Sequence, residues 1–305
     1  MKVLVATEKP FAKAAVDGIK STLENNGHQV VLLEKYTEKQ QLLDAVADAD
    51  ALIIRSDKVT AEVLDAAKQL KIVVRAGAGY DNVDLDAATQ HGVVVMNTPG
   101  QNSNAVAELV FGLLVFAVRN FFNGTSGTEL KGKKLGIQAF GNVGRNVARI
   151  AKGFGMEVFA FDAFVPADKI KAEGVTPVSS VEELYDCDVV SLHIPATPET
   201  KASINFDLVN RLPKGGILIN TARKEVINEP DLIRLFETRP DFKYITDIAP
   251  DIKDTLMEKY ADRFFSTPKK MGAQTAEANI NAGIAAANQI SDFFATGNTR
   301  FQVNK

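Results

Sequence analysis

The stretch Leu135-Gly-Ile-Gln-Ala-Phe-Gly-Asn-Val-Gly144 decides the fold of this chain. It joins an apolar run that is typical of a strand, residues 134–139, to a helical pattern over residues 142–154. The loop is a G-x-G-x-x-G motif with alanine at its first position, where an ordinary backbone conformation is therefore expected. Gly141 would let the backbone approach a pyrophosphate, and Gly144 would let the helix pack close to the strand. The motif predicts a dinucleotide-binding βαβ unit.

Two further features of this unit select the nucleotide. The first helical residues, Asn142 and Val143, offer unpaired backbone N–H groups and the positive end of the helix dipole to phosphates. The next strand-like run ends in Asp162, near the spacing of the acid that binds the adenosine ribose hydroxyls. A carboxylate there repels a 2′-phosphate, and the next basic residue is Lys169. We therefore expect NAD rather than NADP.

Strand-like and helical patterns alternate along nearly the whole chain. Regular alternation predicts parallel sheets with helices on both faces, and continuously apolar runs such as residues 217–219 agree with strands that are buried on both faces. The expected fold class is α/β, with two Rossmann-like, doubly wound parallel-sheet domains and a cleft between them. The strand-like runs are residues 2–7, 29–33, 51–55, 72–76, 93–97, 134–139, 157–162, 188–194, 216–220 and 243–248.

A long apolar helical pattern, residues 105–119, separates the two series of strands. We expect a substrate-binding, flavodoxin-like domain made of residues 1–98 and 278–305, and an NAD-binding Rossmann domain made of residues 99–277. The last helical pattern, residues 275–294, is long enough to return to the first domain.

Composition narrows the class of protein. The chain has 305 residues, 46% of them hydrophobic and 24% charged, with a formal net charge of −3. It has no basic stripe and no polybasic cluster, so neither nucleic acid nor a membrane surface is an expected partner, and no metal site is expected. The single cysteine, Cys187, lies in an apolar context and cannot form an intramolecular disulfide. A buried thiol and a cytoplasmic location are expected, and no leader pattern is found at the N-terminus.

Short motifs distributed along nearly the whole chain carry a family resemblance. Besides the fingerprint they are Leu52-Ile-Ile-Arg-Ser56, Val74-Arg-Ala-Gly-Ala-Gly-Tyr-Asp-Asn-Val-Asp84, Val95-Met-Asn-Thr-Pro99 with Asn102-Ser103, Ala107-Glu-Leu109, Leu192-His-Ile-Pro195, Asn220-Thr-Ala-Arg223 and Gly272-Ala-Gln-Thr-Ala-Glu277. Together they resemble the D-2-hydroxyacid dehydrogenase family. The resemblance implies NAD-dependent hydride transfer on a 2-hydroxy acid.

The resemblance also implies roles for single residues. Arg223 resembles the family's substrate-polarising arginine, whose guanidinium binds carboxylate and carbonyl oxygens together and stabilises charge as hydride moves. The glycine-rich turn Ala76-Gly-Ala-Gly79, which includes Ala76 and Gly77, resembles the loop whose backbone N–H groups hold the substrate carboxylate. Asp247 resembles the acid beside the nicotinamide. The remaining residues of the implied cofactor pocket are His193, Pro195 and Thr221.

Substrate choice is assigned to Arg55, Ser56, Arg75 and Asn102. Two arginines at the ends of adjacent strands would make an anion site separate from Arg223. A phosphorylated 2-hydroxy acid needs two anion sites, whereas lactate or glycerate needs one. The alternative is that both arginines are surface residues with salt-bridge partners.

The family pairs a catalytic histidine with a glutamate, and this chain departs from that pattern at both positions. Counting back from Gly272-Ala-Gln-Thr places Lys270 at the histidine position, while counting forward from Thr267-Pro268 gives Lys269. We favour Lys270 as the acid/base, because the Met-Gly-Ala spacing that follows it is intact. A lysine can replace the histidine if burial and neighbouring cations lower the pKa of its amine. Ile252 occupies the glutamate position, and Asp251 is the nearest acid that could orient the lysine.

The reaction implied by the resemblance is oxidation of D-3-phosphoglycerate to 3-phosphohydroxypyruvate, as in serine biosynthesis. A glyoxylate or hydroxypyruvate reductase and an NAD-sensing, non-catalytic binding protein are the alternatives. The family implies a homodimer through the NAD-binding domain. The candidate interface residues are the helical run 105–118 and the pair Phe121-Phe122, which core packing would explain equally well. The chain ends soon after its last helix, so a short form without a regulatory domain is expected.

Overall fold

The computed structural model describes residues 1–304. The strands are β1 Lys2–Thr7, β2 Gln29–Glu34, β3 Ala51–Ile54, β4 Ile72–Arg75, β5 Val94–Asn97, β6 Lys134–Gln138, β7 Glu157–Phe161, β8 Thr176–Pro177, β9 Val189–Leu192, β10 Ile217–Asn220, β11 Lys243–Thr246 and β12 Phe264–Ser266. The helices are α1 Lys13–Asn25, α2 Lys39–Val46, α3 Ala61–Ala66, α4 Leu85–Gln90, α5 Ser103–Val118, α6 Asn142–Gly153, α7 Ala167–Ala172, α8 Val181–Leu184, α9 Phe206–Val209, α10 Glu229–Thr238, α11 Lys253–Tyr260 and α12 Ala276–Thr296. Short 3₁₀ helices cover Asn120–Phe122 and Lys224–Val226.

The chain divides into two units. The first contains Met1–Asn102 and the described part of Gln274–Lys305, and the second contains Ser103–Ala273. The assignment of substrate to residues 1–98 with 278–305, and of NAD to residues 99–277, stays a prediction.

The first unit contains a parallel sheet with the strand order β2-β1-β3-β4-β5. Alternate side chains of β1 point to opposite faces, as the two-residue period of a strand requires. Val3 and Val5 pack in one core with α1 and α12, whereas Leu4 and Ala6 pack in another with α2, α3 and α4. Burial on both faces explains why these strands read as continuous apolar runs.

The second unit contains a parallel sheet with the order β12-β11-β10-β9-β6-β7-β8. Helices α5 and α6 pack on one face, and α9 and α10 contribute to the core on the other. The strand order reverses between β6 and β9, which is the position where open α/β sheets bind ligands at the carboxyl ends of their strands.

The predicted fold class, α/β with two Rossmann-like parallel sheets, is confirmed. Sequence patterns missed β8 and β12 because two or three residues are too few to display a period. Helix α5 begins two residues earlier than the pattern indicated, at Ser103. The final helix begins after Thr275, whose hydroxyl accepts a hydrogen bond from the backbone nitrogen of Ala278 at 3.1 Å.

Two expectations about composition can be compared with the structure. Cys187 is buried, and burial raises the pKa of its thiol to about 12, as expected of an unreactive core cysteine. None of the helices formed by residues 1–304 has the length and apolar character needed to cross a bilayer.

Candidate active site

The predicted site residues of the second unit follow the ends of its strands. Because all pairings in this sheet are parallel, segments that follow the strands lie at one edge. These segments are residues 139–144 after β6, Asp162 after β7, residues 193–195 after β9, residues 221–223 after β10, Asp247 after β11 and residues 267–272 after β12.

The fingerprint loop has the predicted strand–turn–helix form. Gly141 is the N-cap of α6, and a Cβ atom added to it would meet no heavy atom within 4 Å. Its backbone is therefore open to a ligand, beside the first N–H groups of Asn142 and Val143. A Cβ atom on Gly144 would lie 2.3 Å from the backbone oxygen of Ala139. Only glycine permits this close packing of helix on strand.

Ala139 overturns one expectation. Its φ is +78°, so an alanine occupies the left-handed region in which glycine is favoured. The expectation of an ordinary conformation was wrong, because the turn geometry is imposed by both flanking elements. Ala139 donates its N–H to Phe161 at 2.9 Å, and its carbonyl lies against Gly144. The conformation costs about 1–2 kcal/mol for a residue with a Cβ atom.

The Asp162 carboxylate is already part of a hydrogen-bond network. Its Oδ2 accepts from the backbone nitrogen of Phe140 at 2.7 Å. Its Oδ1 accepts from the backbone nitrogens of Phe164 and Val165 at 2.8 and 3.0 Å. A carboxylate has about four lone-pair positions, so acceptor capacity remains for a ribose hydroxyl. Asp162 therefore both fixes the fingerprint loop and stays available to a nucleotide.

Three residues predicted for the cofactor pocket follow β9 and β10. Burial lowers the pKa of His193 to about 3, so its imidazole is neutral at physiological pH, and its Nε2 lies 2.9 Å from the hydroxyl of Ser191. Thr221 is 8% exposed, and its hydroxyl has no hydrogen-bond partner among residues 1–304. A buried hydroxyl without a hydrogen-bond partner is unfavourable unless a bound ligand supplies that partner. The backbone oxygen of Pro195 accepts from the hydroxyl of Thr200 at 2.6 Å.

Arg223 lies on a turn that Asn220 organises. Asn220 is fully buried at the end of β10, donates to the backbone oxygen of Arg223 at 2.9 Å and accepts from the backbone nitrogen of Ala222 at 2.9 Å. The guanidinium of Arg223 donates to the backbone oxygen of Ala222 at 2.9 Å. Sequence reasoning gave Asn220 no role, although an amide at the end of a continuously apolar strand was a signal.

The candidate acid/base lysines, Lys269 and Lys270, are both exposed in the segment after β12. Asp251, the acid expected to orient the lysine, lies instead 2.5 Å from the Nζ of Lys224. This hydrogen bond raises the pKa of Lys224. The Asp251 carboxylate thus forms a salt bridge with Lys224, the residue that follows Arg223.

In the first unit, Arg55 directly follows β3 and is partly buried. Its Nη2 donates to Oδ1 of Asn279 at 2.6 Å and its Nη1 to the backbone oxygen of Pro10 at 3.2 Å. Its guanidinium carbon lies 5.1 Å from the centroid of the Phe11 ring. These partners are neutral, and no carboxylate within residues 1–304 forms a salt bridge with Arg55. Burial lowers the pKa of Arg55, yet a guanidinium remains charged at neutral pH.

Arg75 ends β4 beside Arg55. Its Nε donates to the backbone oxygen of Arg55 at 2.9 Å. A Cβ atom on Gly77 would lie 1.5 Å from Nη1 of Arg75, so the guanidinium lies directly against the Gly77 backbone. Ser56 is exposed in the turn after β3, and Asn102 is partly buried at the end of this unit's first segment.

In the glycine-rich turn Ala76-Gly-Ala-Gly79, the first two backbone N–H groups already have acceptors. The N–H of Ala76 donates to Ile54 at 2.8 Å, and the N–H of Gly77 donates to Arg75 at 2.9 Å. Within the part of the chain that the structure describes, the next two backbone nitrogens, of Ala78 and Gly79, have no acceptor. The N–H groups available to a substrate carboxylate are thus two residues further along the turn.

Asp57 and Asn82 hold the turn that carries Arg55 and Ser56, and sequence reasoning missed both. Asp57 is 3% exposed and accepts from the backbone nitrogen of Glu8 at 2.7 Å and from the hydroxyl of Tyr36 at 2.9 Å. Asn82 donates to the backbone oxygens of Arg55 and Asp57 at 3.2 and 2.6 Å.

Several known proteins are similar to this chain in sequence or in structure. The crystal structure of cofactor (NAD+)-bound 3-phosphoglycerate dehydrogenase from Entamoeba histolytica is 50% identical, with a TM-score of 0.88 over 100% of this chain and 99% of that one. D-3-phosphoglycerate dehydrogenase 2, chloroplastic, of Arabidopsis thaliana is 40% identical over 83% of this chain and 43% of its own length. Hydroxypyruvate reductase of Thermotoga maritima is 33% identical over 87% of this chain and 91% of its own length. The chain spans about half the length of several curated relatives that it matches.

A family model described as D-isomer specific 2-hydroxyacid dehydrogenase, catalytic domain, matches residues 6–304. That range includes the fingerprint loop and all strands of both sheets except the first four residues of β1. The chain therefore belongs to the D-isomer specific 2-hydroxyacid dehydrogenase family.

Proposed function

We propose that this chain is an NAD-dependent dehydrogenase that oxidises D-3-phosphoglycerate to 3-phosphohydroxypyruvate in the cytoplasm, as a step of serine biosynthesis. The observation that carries the proposal is the partly buried guanidinium of Arg55, whose hydrogen-bond acceptors are neutral. A partly buried cation that forms no salt bridge favours an anionic ligand. The similarity to the 3-phosphoglycerate dehydrogenase of Entamoeba histolytica supports the same substrate.

NAD fits the residues at the carboxyl edge of the second sheet. Gly141, Asn142 and Val143 would bind the pyrophosphate through backbone N–H groups. Asp162 would bind the ribose hydroxyls. The cofactor would supply a hydrogen-bond partner to the hydroxyl of Thr221, which has none in the described residues. His193 and Pro195 would line the same pocket. When bound, NAD supplies the acceptor for the hydride.

The substrate would be held through its two anionic ends. Arg223 would bind the carboxylate and the oxygen at C2, which orients the carbon and stabilises charge on that oxygen. In the first unit, the backbone N–H groups of Ala78 and Gly79 are the donors available to a carboxylate. The phosphate would be bound by Arg55, Ser56, Arg75 and Asn102, all from the first unit.

The remaining task of the protein is to remove a proton from the C2 hydroxyl. We assign it to Lys270, with Lys269 as the alternative. In the reduction direction, the ammonium form donates that proton to the oxygen. Asp251 would act through Lys224, to which it is bound in the structure.

A substrate panel tests the proposal. We expect NADH consumption with 3-phosphohydroxypyruvate to exceed that with hydroxypyruvate or glyoxylate by about 100-fold in kcat/KM, because two charge-assisted contacts each contribute about 1.5–3 kcal/mol. NADPH should support little activity. A preference for hydroxypyruvate would instead favour the alternative that the Thermotoga maritima relative suggests. Binding of NADH without hydride transfer to any of these acids would favour an NAD-sensing protein.

The family-based homodimer also remains a proposal. The second unit exposes 66% of Phe122 beside Phe116, with 5.3 Å between ring centroids. Exposed aromatic rings of this kind are common in interfaces. The mass measured by light scattering for the wild type and for Phe122→Ser tests this assignment.

A further inference from the structure

The turn that follows β4 is joined to the end of β5 through two of its carbonyl groups. The backbone oxygen of Gly77 accepts a hydrogen bond from the backbone nitrogen of Thr98 at 2.9 Å. The backbone oxygen of Ala78 accepts one from the side-chain Nδ2 of Asn97 at 2.6 Å. Asn97 is 9% exposed and Thr98 is 1% exposed, so both contacts lie in the interior of the first unit.

These two contacts determine the direction of the next two backbone N–H groups. In a trans peptide the C=O and N–H bonds point in opposite directions, and the peptide bonds of residues 1–304 are trans. The oxygen of Gly77 shares its peptide group with the nitrogen of Ala78. The oxygen of Ala78 shares its peptide group with the nitrogen of Gly79. Because both oxygens point toward the end of β5, both N–H groups point away from it.

The N–H groups of Ala78 and Gly79 form a pair of donors on the accessible side of the turn. Among residues 1–304 neither nitrogen has an acceptor. Both residues are partly exposed, whereas Gly77 is buried. Successive backbone N–H groups on one side of a turn make a concave site for an anion. The guanidinium of Arg75, which lies against the Gly77 backbone, adds positive charge nearby.

Asn97 supplies the part of this arrangement that depends on a particular side chain. The bond from Thr98 uses a backbone N–H, which any residue except proline offers. The bond to Ala78 needs a side-chain donor at the last position of β5, where residues 94–96 are apolar. An apolar residue at position 97 would leave the Ala78 oxygen without its donor. The peptide group between Ala78 and Gly79 would then be free to rotate.

The backbone that carries this donor is itself fixed. Asn97 lies opposite Arg75 in the parallel pairing of β4 with β5. Its backbone oxygen accepts from Nε2 of Gln289 on α12 at 3.0 Å. The side-chain amide therefore extends from a position that both the sheet and a helix of the same core hold in place. Support from rigid elements of this kind orients a binding group more precisely than a loop alone does.

We propose that Asn97 is a positioning residue that directs the N–H groups of Ala78 and Gly79 toward the carboxylate of a 2-hydroxy acid. The proposal rests on the proposed function, which makes such an acid the substrate. Asn97 itself would not contact the acid, because its Nδ2 is bound to the Ala78 oxygen on the opposite side of the turn. Its effect is shared by phosphorylated and unphosphorylated acids, since both carry the carboxylate. Arg55, by contrast, would affect the phosphorylated acid.

Asn97→Asp is the primary test, because aspartate has nearly the same shape but offers no donor to the Ala78 oxygen. We expect the KM values for 3-phosphohydroxypyruvate and for hydroxypyruvate to rise together by about tenfold or more, the effect of weakening a hydrogen bond to a charged group. The two factors should agree within about threefold, and the Kd for NADH should change less than about twofold. The kcat should fall by a smaller factor than the KM rises, since the contact is already made in the ground state.

Asn97→Ala separates the orientation of the turn from the effect of charge. It removes the donor without placing a carboxylate near the substrate, so both KM values should again rise together, by about threefold or more. This variant also decides the question if Asn97→Asp does not fold. A loss confined to Asn97→Asp would assign the effect to charge repulsion and would overturn the positioning role. A loss confined to the phosphorylated acid would overturn it as well.

Asn304→Asp is the matched control, since it makes the same change at another buried asparagine that is bonded to β5. Asn304 is 4% exposed, its Oδ1 accepts from the backbone nitrogen of Val95 at 2.7 Å, and its Nδ2 donates to the backbone oxygen of Val93 at 2.8 Å. These contacts do not involve the turn at residues 76–79. The variant should therefore lower the free energy of unfolding and leave both KM values within about twofold. KM values raised as much as in Asn97→Asp would show that a general loss of stability is the cause.

A measurement without turnover separates this inference from the proposed function. The backbone amide resonances of Ala78 and Gly79 are followed by NMR while oxalate, a carboxylate that accepts no hydride, is added to the NADH-bound protein. Both resonances should shift in the wild type, and Asn97→Asp should need about tenfold more oxalate for the same shift. Resonances that do not move in the wild type, or equal titrations in the two proteins, would overturn the positioning role. A preference for hydroxypyruvate over the phosphorylated acid would instead overturn the proposed function and leave this inference standing.

Discussion

The Nε of Arg75 donates a hydrogen bond to the backbone oxygen of Arg55 at 2.9 Å, which joins the ends of two neighbouring strands. The contact fixes the backbone from which the Arg55 side chain extends. It also brings two permanent cations into one short region of the first unit. Like charges placed together repel, and an anion bound beside them would lower the free energy of the site.

Replacing Arg55 should separate phosphorylated from unphosphorylated substrates. Arg55→Gln keeps a donor that can reach toward Asn279 but removes the charge. We expect kcat/KM for 3-phosphohydroxypyruvate to fall about 10- to 100-fold, since a charged hydrogen bond contributes about 1.5–3 kcal/mol. For hydroxypyruvate the loss should stay below about threefold. Equal losses for both acids in steady-state assays would show that Arg55 is a structural residue.

Gly77 should tolerate no side chain. Its φ is +151°, and a Cβ atom would lie 1.5 Å from Nη1 of Arg75. We expect Gly77→Ala to displace Arg75, to raise the KM for the phosphorylated substrate and to lower the free energy of unfolding by about 2 kcal/mol.

The control is Gly112→Ala on α5, where a Cβ atom would meet nothing within 4 Å. That change should stabilise the protein by about 0.5–1 kcal/mol, because alanine favours helix. Urea unfolding measures both variants, and a neutral result for Gly77→Ala would contradict the geometry of this turn.

Features with a local signature could be read from the sequence. The strands β1 to β7 and β9 to β11 show apolar runs long enough to recognise. The fingerprint loop and Asp162 follow from spacing alone. The functions of Asp57, Asn82 and Asn97 could not be read in this way. Each bonds to a segment far away in sequence, so its role depends on which loops the sheet topology brings together.

Ala139 offers a test of backbone strain in the fingerprint. Its φ of +78° costs about 1–2 kcal/mol for a residue with a Cβ atom, while glycine loses about 0.5–1 kcal/mol in chain entropy. Ala139→Gly should therefore leave the free energy of unfolding equal or raise it by up to about 1 kcal/mol. Ala105→Gly, in helix α5 of the same unit, should lower it. Destabilisation of similar size in both variants would count against strain at position 139.

His193 should make stability depend on pH. Its ordinary pKa is 6.5, and burial lowers this to about 3 in the folded protein. Between these values the unfolded chain binds a proton that the folded chain does not, so stability falls as the pH is lowered from about 6.5 toward 3. The slope from this one group is at most about 1.4 kcal/mol per pH unit. Above pH 6.5 the effect vanishes, since the imidazole is then neutral in both states.

His193→Asn isolates that contribution. Asparagine keeps a polar group near Ser191 but does not titrate. Urea unfolding at pH 7, 5.5 and 4.5 should show a wild-type stability that falls more steeply than that of the variant. Parallel curves would mean that His193 is hydrated in the folded protein.

Lys270 should be the residue on which proton transfer depends. Lys270→Ala is expected to lower kcat about 100- to 10,000-fold, the range that a general acid/base contributes. The Kd for NADH should stay within about twofold. Lys269→Ala is the matched control, because it removes a neighbouring exposed ammonium from the same segment, and it should change kcat less than about fivefold. A severe loss in Lys269→Ala alone would transfer the assignment to that residue.

Introducing histidine at position 270 is a stronger test of the assignment of proton transfer to Lys270. Lys270→His places an imidazole, with an ordinary pKa of about 6.5 against about 10.4 for a lysine, where the family resemblance expects one. If residue 270 carries the proton, this variant should keep far more activity than Lys270→Ala. The pH at which its oxidation rate reaches half of the maximum should also move to lower values. A pH–rate profile that coincides with that of the wild type would show that a group other than residue 270 titrates in the reaction. In that event the salt-bridged pair Lys224 and Asp251 would be the next candidate for the proton carrier in this unit.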